Sequence, residues 1–125
     1  MIRINTEKAL AKAKIDKIAQ LKKLREEKLS QGFSYKGGIF KLNDSTIVNI
    51  QLKVECPLEM SNRYQFFDKD KSLIDFENSS ELEKFKDEIF AAKDAIMVYY
   101  NQKYIEVANC KSITAIDEIV IDFSV

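Results

Sequence analysis

The sequence predicts an α+β domain, and three observations lead to this fold class. Two long stretches, residues 5–31 and about 80–108, have the composition and the apolar spacing of α-helices. Between them, two shorter stretches alternate apolar and polar residues around turn-forming residues, which is typical of β-hairpins. The chain has 125 residues, of which 46% are hydrophobic, and this is enough for one domain with a buried core. We expect residues 15–125 to form that single domain, with residues 1–14 as a basic helical extension.

The first long helix is predicted over residues 5–31, where neither Gly nor Pro occurs. Asn5 or Thr6 is expected to cap its start, and Gly32 to supply the left-handed residue that ends it. Lys14 and Arg25 interrupt its apolar stripe, so we expect part of the helix to project from the domain or to pack in an oligomer. The stripe consists of Leu10, Ile15, Ile18, Leu21, Leu24 and Leu29.

A first hairpin and a short second helix are predicted next. Phe33 and Tyr35 alternate with polar residues before the Gly37-Gly38 pair, which is expected to form the tight turn because glycine accepts positive φ. Residues 43–45, with the sequence Asn-Asp-Ser, offer caps for a helix that should end by Cys56, since the residue before a proline disfavours the helical conformation.

A second hairpin is predicted over residues 63–77, around a charged turn at residues 68–71. The Asp-x-Asp spacing in that turn lacks the other oxygens, the glycine and the distal glutamate of a calcium loop, so no calcium site is expected. We expect the two hairpins to join in one antiparallel sheet rather than to form two separate ribbons, although nothing local in the sequence determines the pairing.

The second long helix is expected to begin at a capping box formed by Ser80 and Glu83 and to run to about Ala108. After it, a short helix over residues 114–120 with Thr114 as its cap is favoured, and a strand over residues 118–123 is the alternative. The core stripe of the long helix is predicted to consist of Leu82, Phe85, Ile89, Ala92, Ile96 and Tyr99.

The composition argues against catalysis and against a bound cofactor or metal. The chain has no histidine, which is the usual general base and the commonest metal ligand. Cys56 and Cys110 are too far apart in the sequence for a zinc motif, and no nucleotide-binding motif is present. Cys110 precedes Lys111, but a buried structural cysteine is the commoner role. We therefore expect a protein that is not an enzyme and that binds no cofactor.

The charge is unevenly distributed along a chain whose formal net charge is zero. Residues 1–28 contain nine basic and four acidic side chains, a net charge of +5. Such an arm could contact nucleic acid or a membrane surface. We favour a solvated helix that docks on a protein partner, because the overall pI is near 6.3 and the arm has no aromatic residue. No apolar run approaches the roughly 20 residues that cross a bilayer, so no membrane association is expected.

A series of motifs runs through residues 25–122. A helix ends with a stretch that contains Arg25, Glu26 and Glu27, and the segment 32–40 then has the pattern Gly, aromatic, x, aromatic, x, Gly, x, x, Phe. The Asn-Asp-Ser helix start at residues 43–45, the Phe-Asp-Lys-Asp turn at 67–70, the Ser-Glu-Leu helix start at 80–82 and the segment 113–119 follow. In this order the motifs resemble a small uncharacterised domain of tailed-phage and prophage tail, tail-fibre and tail-fibre-assembly proteins. Lys71 stands where the family commonly has Asn, and the segment 113–119 is a degraded form of the family ending.

The resemblance implies a structural or assembly role at a phage tail, through protein–protein binding, in the host cytoplasm or in the virion. A small inhibitor of a host protein is the alternative, a nucleic-acid-binding accessory protein is less favoured, and self-association through the first helix is a further option. No binding residue comes with the family. From exposure and charge we predict that the partner is contacted by Lys8, Lys12, Lys22, Lys23, Arg25, Phe33 and Tyr35.

Overall fold

A computed structural model describes the backbone of residues 2–55 and 65–124, and it confirms the α+β fold class. Residues 63 and 64 of the predicted second hairpin, and the predicted helix end at Cys56, lie outside the described residues. In chain order, the described elements are α1 (Ile2–Gln31), β1 (Phe33–Tyr35), β2 (Gly38–Phe40), α2 (Asp44–Glu55), β3 (Gln65–Phe67), β4 (Leu73–Asp75), α3 (Ser79–Ala108) and α4 (Ile113–Asp117).

The chain divides into two compact units. The first unit combines Met1–Lys28 with Ile96–Val125, and the second unit is Leu29–Ala95. Both hairpins and α2 therefore belong to the second unit, whereas α4 belongs to the first.

The starts of two helices differ from the prediction. α1 begins at Ile2, so Asn5 and Thr6 lie inside the helix and do not cap it, because nothing in residues 2–5 breaks the helical backbone. α4 begins at Ile113 with Ser112 as its cap, and the Ser112 hydroxyl accepts the Ala115 N–H at 3.1 Å. The predicted cap at Thr114 is wrong, since an equally good cap precedes it.

The cap of α3 also lies earlier than predicted. The helix begins at Ser79, and the Asn78 side chain accepts the Glu81 N–H at 3.0 Å. The Glu81 carboxylate in turn accepts the Glu77 N–H at 3.3 Å. The predicted Ser80–Glu83 box is therefore replaced by an Asn78–Glu81 pair two residues upstream. The predicted cap of α2 is confirmed, because Asn43 Oδ1 accepts the Thr46 N–H at 2.9 Å.

The turn of the first hairpin consists of Lys36 and Gly37, with φ of 49° and 81°. The expected Gly37-Gly38 turn is therefore displaced by one residue, and Gly38 is the first residue of β2. A side chain has no room there, because a Cβ on Gly38 would lie 2.8 Å from Ile74 Cδ1. The glycine thus allows β4 to approach β2 closely.

The two hairpins form two separate two-stranded sheets, so the expected single sheet is wrong. The backbone groups of Ile39, which point outward from β2, are bonded to the turn of the second hairpin instead of to a strand. The Ile39 N–H donates to Asp68 Oδ2 at 3.2 Å, and the Ile39 carbonyl accepts the Lys69 N–H at 2.7 Å. A turn cannot continue a ladder, so pairing stops after these two bonds.

An aromatic cluster forms the core of the Leu29–Ala95 unit, with Phe85 of α3 at its centre. The Phe85 ring is fully buried and lies 4.8 Å from the rings of Tyr35 and Phe40, 5.0 Å from Phe76 and 6.1 Å from Phe33. The contacts are tilted or edge-on, which is the favourable geometry for aromatic rings. One side chain of α3 therefore joins the first hairpin to the segment after β4.

In the unit formed by Met1–Lys28 and Ile96–Val125, the two basic residues that interrupt the predicted apolar stripe of α1 contact α3. The Arg25 guanidinium lies 4.4 Å from the centre of the Tyr100 ring, and Lys14 Nζ donates to the Ala108 carbonyl at 2.8 Å. Ile15, which the predicted stripe included, is 67% exposed. A cation stabilises the free carbonyls at a helix C-terminus, so the Lys14 ammonium is favourable beside the end of α3.

The C-terminal segment lies against α3 without forming a strand. The Asp122 N–H donates to the Tyr99 hydroxyl at 2.8 Å, and the Phe123 ring contacts the Tyr99 ring edge-on at 4.8 Å. α4 ends at Asp117, so the predicted short helix is confirmed but is shorter than residues 114–120. No strand occurs in the described part of residues 118–124.

We expect Phe85→Ala to lower the free energy of unfolding by about 3–5 kcal/mol, because it empties the centre of the aromatic cluster. Phe67→Ala is the matched control, and it should cost within about 0.5 kcal/mol because Phe67 is 62% exposed. Equilibrium urea denaturation followed by circular dichroism measures both. Equal losses in the two variants would contradict the assignment of the core.

We expect Gly38→Ala to cost about 1–3 kcal/mol by forcing Ile74 away from β2. The cost should be smaller in an Ile74→Ala background, where the clashing atoms are absent. Gly37→Ala faces open space but has a positive φ, so its cost should be the same in both backgrounds. A double-mutant cycle by urea denaturation measures this coupling, and additive effects of Gly38→Ala and Ile74→Ala would show that the hairpins do not pack as described.

Candidate functional site

The structure places the predicted binding residues in two groups. In the first unit, Arg25 is half-buried against Tyr100, and the Lys12 ammonium pairs with the Asp16 carboxylate at 2.9 Å. The lysines of this group are all exposed on α1, at Lys8, Lys12, Lys22 and Lys23. In the second unit, Phe33 and Tyr35 are half-buried in the Phe85 cluster. The two aromatic residues thus contribute to the core of their own unit.

A groove that the sequence did not indicate lies between α2 and the β3–β4 hairpin, and we call it the α2–β3 groove. Its volume is about 510 Å³, within the range of pockets that hold ligands or peptide side chains. Large apolar side chains are exposed in it: Leu52 is 59%, Phe67 62% and Leu73 47% exposed. The complete lining is Asn43, Ser45, Thr46, Asn49, Leu52, Lys53, Gln65, Phe66, Phe67 and Leu73.

The alternation of the second hairpin explains why apolar residues face the groove. Phe67 lies opposite Leu73, so both side chains are on the same face of the two-stranded sheet. Ile74 points to the other face and is buried. On α2, Ile50 is fully buried, and Leu52 lies on a different side of the helix. Ile50 and Ile74 fill the inward positions of α2 and of the hairpin, and the further apolar residues of both elements remain exposed.

The backbone of β3 also has a free edge. The Asp68 N–H donates to the Ser72 carbonyl at 2.9 Å, and bonded and non-bonded pairs alternate along an antiparallel ladder. The next bonded pair is therefore Phe66 with Ile74, and the N–H and C=O groups of Gln65 and Phe67 point away from β4. These four backbone groups bond to no residue in the described part of the chain.

The polar residues that line the groove are neutral apart from Lys53, and no carboxylate is among its lining residues. The nearest acidic turn residue, Asp68, is occupied by backbone donors. Its pKa is lowered by the N–H of Ser72, followed by those of Ile39 and Asp70. Its lone pairs hold the turn together and are not directed toward a ligand.

An ion pair lies at the start of α3, outside the groove. Lys36 of the first turn forms an ion pair with Glu81, which raises the pKa of Lys36 and lowers that of Glu81. Burial raises the pKa of Tyr35, and Glu81 adds to the effect. These groups connect the first hairpin to α3.

The described residues contain no group of three or more His, Cys, Asp or Glu side chains that could hold a metal ion. Cys110 is half-buried, and its thiol donates to the Glu106 carbonyl at 3.2 Å. As for the membrane, none of the helices in the described ranges has the length and apolarity needed to span one.

Comparison with known proteins identifies no relative: no protein-family model, curated protein or solved structure matches this chain.

Part of the groove could have been inferred from sequence. Strict alternation places Phe67 on the same face as Gln65, and Leu73 on the same face as Asp75, which marks the polar, outward face of the hairpin. The position of α2 beside β3 has no local signal, because it depends on contacts between residues far apart in the chain.

We expect acid to destabilise the second unit, because the pKa values of Asp44, Asp68 and Glu81 are all lowered in the folded protein. A lowered folded-state pKa gives stability that is complete above the ordinary carboxylate pKa of about 4 and is lost as the pH falls below it. Asp68→Asn should make the decrease between pH 5 and about 2.5 shallower. Urea midpoints at a series of pH values measure it.

Asp70→Asn is the control for this experiment, because in the described structure the Asp70 side chain accepts no hydrogen bond. It should keep the acid dependence of the wild type. The interpretation is wrong if the Asp68→Asn and wild-type curves run parallel over the whole pH range.

Proposed function

We propose that this chain is a non-enzymatic binding protein that holds a partner protein in the α2–β3 groove during the assembly of a phage or prophage tail. The observation that carries the proposal is the exposure of Leu52, Phe67 and Leu73 around one groove. Contiguous exposed apolar side chains of this kind mark interaction sites, because their burial against a partner is favourable.

The composition of the groove supports a protein partner. An apolar centre with a rim of amide and hydroxyl groups is typical of protein–protein interfaces. The groove combines the exposed apolar side chains of Leu52, Phe67 and Leu73 with amide and hydroxyl groups such as those of Asn49 and Thr46. Charged groups are few in the lining, so the groove suits a neutral segment better than a phosphate or a metal.

The assignment to a tail rests on the resemblance of residues 25–122 to the phage tail and tail-fibre-assembly domain. The exposed lysines of α1 fit the same role, because basic side chains outside the contact surface speed the approach of an acidic partner. In this proposal they increase the association rate, while the groove supplies most of the affinity.

Inhibition of a host protein is the second candidate, and it uses the same groove. The two candidates differ in the identity of the partner and not in the chemistry of the surface. A tail component is expected in the first case, and a single host enzyme in the second.

We expect Leu52→Glu to reduce partner capture from a lysate of induced or infected cells at least tenfold, because it places a carboxylate in the apolar centre of the groove. Val48→Glu is the matched control: Val48 is also on α2 and is 52% exposed, but it does not line the groove. Quantitative mass spectrometry of captured proteins measures both variants. Fibre or baseplate proteins should be captured by the wild type and by Val48→Glu.

Two outcomes would overturn this proposal. Equal capture by Leu52→Glu and Val48→Glu would remove the groove as the binding site. Capture of one host enzyme, lost only in Leu52→Glu, would replace tail assembly by inhibition of that enzyme.

A further inference from the structure

We propose that the partner enters the α2–β3 groove as an extended segment and adds to β3 as a third strand of the β3–β4 sheet. This inference rests on the proposed function, since the partner is the same, and it states how that partner is recognised. The juxtaposition that carries it is a free strand edge beside exposed apolar side chains.

The backbone of β3 provides the first half of the recognition. Two residues, Gln65 and Phe67, direct their N–H and C=O groups away from β4. An extended chain running about 4.8 Å from β3 would pair with all four groups in one ladder. Recognition of this kind reads the backbone of the partner, as in other cases of strand addition.

The other strand edges have fewer unbonded outward groups. The outward groups of Ile39 in β2 are bonded to Asp68 and Lys69. On the outer edge of β4, Leu73 and Asp75 point away from β3, and one of their four backbone groups, the Asp75 carbonyl, accepts from Lys36 Nζ at 3.1 Å. β1 presents only the backbone groups of Ser34, because its two flanking residues pair with β2. Within the described ranges, β3 is therefore the edge on which all four backbone groups of two outward residues are without a bond.

The sequence of β3 lacks the residue types that commonly protect an edge strand. Natural edges are commonly blocked by lysine, proline or a bulge. β3 consists of Gln65, Phe66 and Phe67 and has neither residue type, and its pairing with β4 is regular. With three residues the strand is short, and its composition leaves this short edge open to pairing with another chain.

The side chains provide the second half of the recognition. The residue of the incoming strand that lies opposite Phe67 would contact Phe67 and Leu52, so it should be apolar. Its neighbours along the strand point to the other face of the sheet. The partner is thus a neutral, extended segment with alternating apolar residues.

An extended segment fits this edge better than a second copy of the chain. In every copy, residues of α2 and β3 line the same groove. Symmetric pairing of two β3 edges would bring a second α2 toward this groove, since each β3 carries its own α2. A single strand without a flanking helix avoids this conflict.

The test uses a displayed library of random linear ten-residue peptides, selected on the full-length protein. We expect the selected peptides to be uncharged with alternating apolar residues, and Leu52→Glu to weaken their binding at least tenfold while Val48→Glu leaves it unchanged. Synthetic versions are then methylated at one backbone nitrogen at a time. β3 offers two outward carbonyls, those of Gln65 and Phe67, so only two N–H groups of the peptide, two residues apart, pair with it. Methylation should weaken binding at least tenfold at those two positions and little at the residue between them. Fluorescence anisotropy measures the affinities.

A variant of the protein gives an independent readout. Phe67→Pro removes an outward N–H without removing a bond to β4, so it should abolish peptide binding, whereas Phe67→Leu retains the donor and should bind. Circular dichroism verifies folding. The methylation series uses the wild-type protein, so it tests strand addition even if Phe67→Pro does not fold.

The outcomes separate this inference from the proposed function. Strand addition is overturned if no selected peptide depends on Leu52, if methylation shows no two-residue period, or if sedimentation shows a dimer that Phe67→Pro dissociates. If the period is absent while Leu52→Glu still prevents partner capture, the groove binds the partner in another conformation. If the period is present while Leu52→Glu does not reduce partner capture, the proposed function is wrong, and strand addition at β3 is retained.

Discussion

The hydrogen bonds of the Asp68 carboxylate are the constraint on which the Leu29–Ala95 unit depends. One side chain accepts the N–H groups of Ser72 and Asp70, which shapes its own turn, and that of Ile39, which joins the turn to β2. The Lys69 N–H adds a backbone bond to the Ile39 carbonyl. A carboxylate that accepts several backbone donors is strongly held, because these charge-assisted bonds exceed neutral ones in strength. The turn of one hairpin is thereby attached to the edge of the other.

This attachment decides which strand edge is free. With the outward groups of Ile39 bonded to a turn, the two hairpins cannot merge into a four-stranded sheet. The outward groups of Gln65 and Phe67 remain beside α2, and the apolar face of Phe67 and Leu73 remains exposed. The groove is therefore a consequence of how the hairpins dock, and the function that we propose depends on the same arrangement.

The charged residues of both units contribute to local structure as well as to solubility. Lys14 lies at the C-terminal carbonyls of α3, and Arg25 lies over an aromatic ring. Lys36 pairs with the glutamate in the first turn of α3. From sequence, Lys14 and Arg25 looked like interruptions of an apolar stripe, because a helical pattern counts a long basic side chain as polar along its whole length. In the structure their charged ends reach partners on α3, a carbonyl for Lys14 and a ring for Arg25.

What the sequence by itself determined is local. The presence of the two long helices, the stop at Gly32, the two hairpins and the core position of Phe85 follow from periodicity, turn residues and end signals within a few residues of each other. The caps were displaced to Asn78 and Ser112 because neighbouring residues compete almost equally for that role. Only the tertiary structure decided that the hairpins stay apart, that Phe33 and Tyr35 pack on Phe85, and that α2 lies beside β3. Each of these depends on contacts between residues far apart in the chain, whose free energies come from burial and from a few long-range hydrogen bonds that no local pattern encodes.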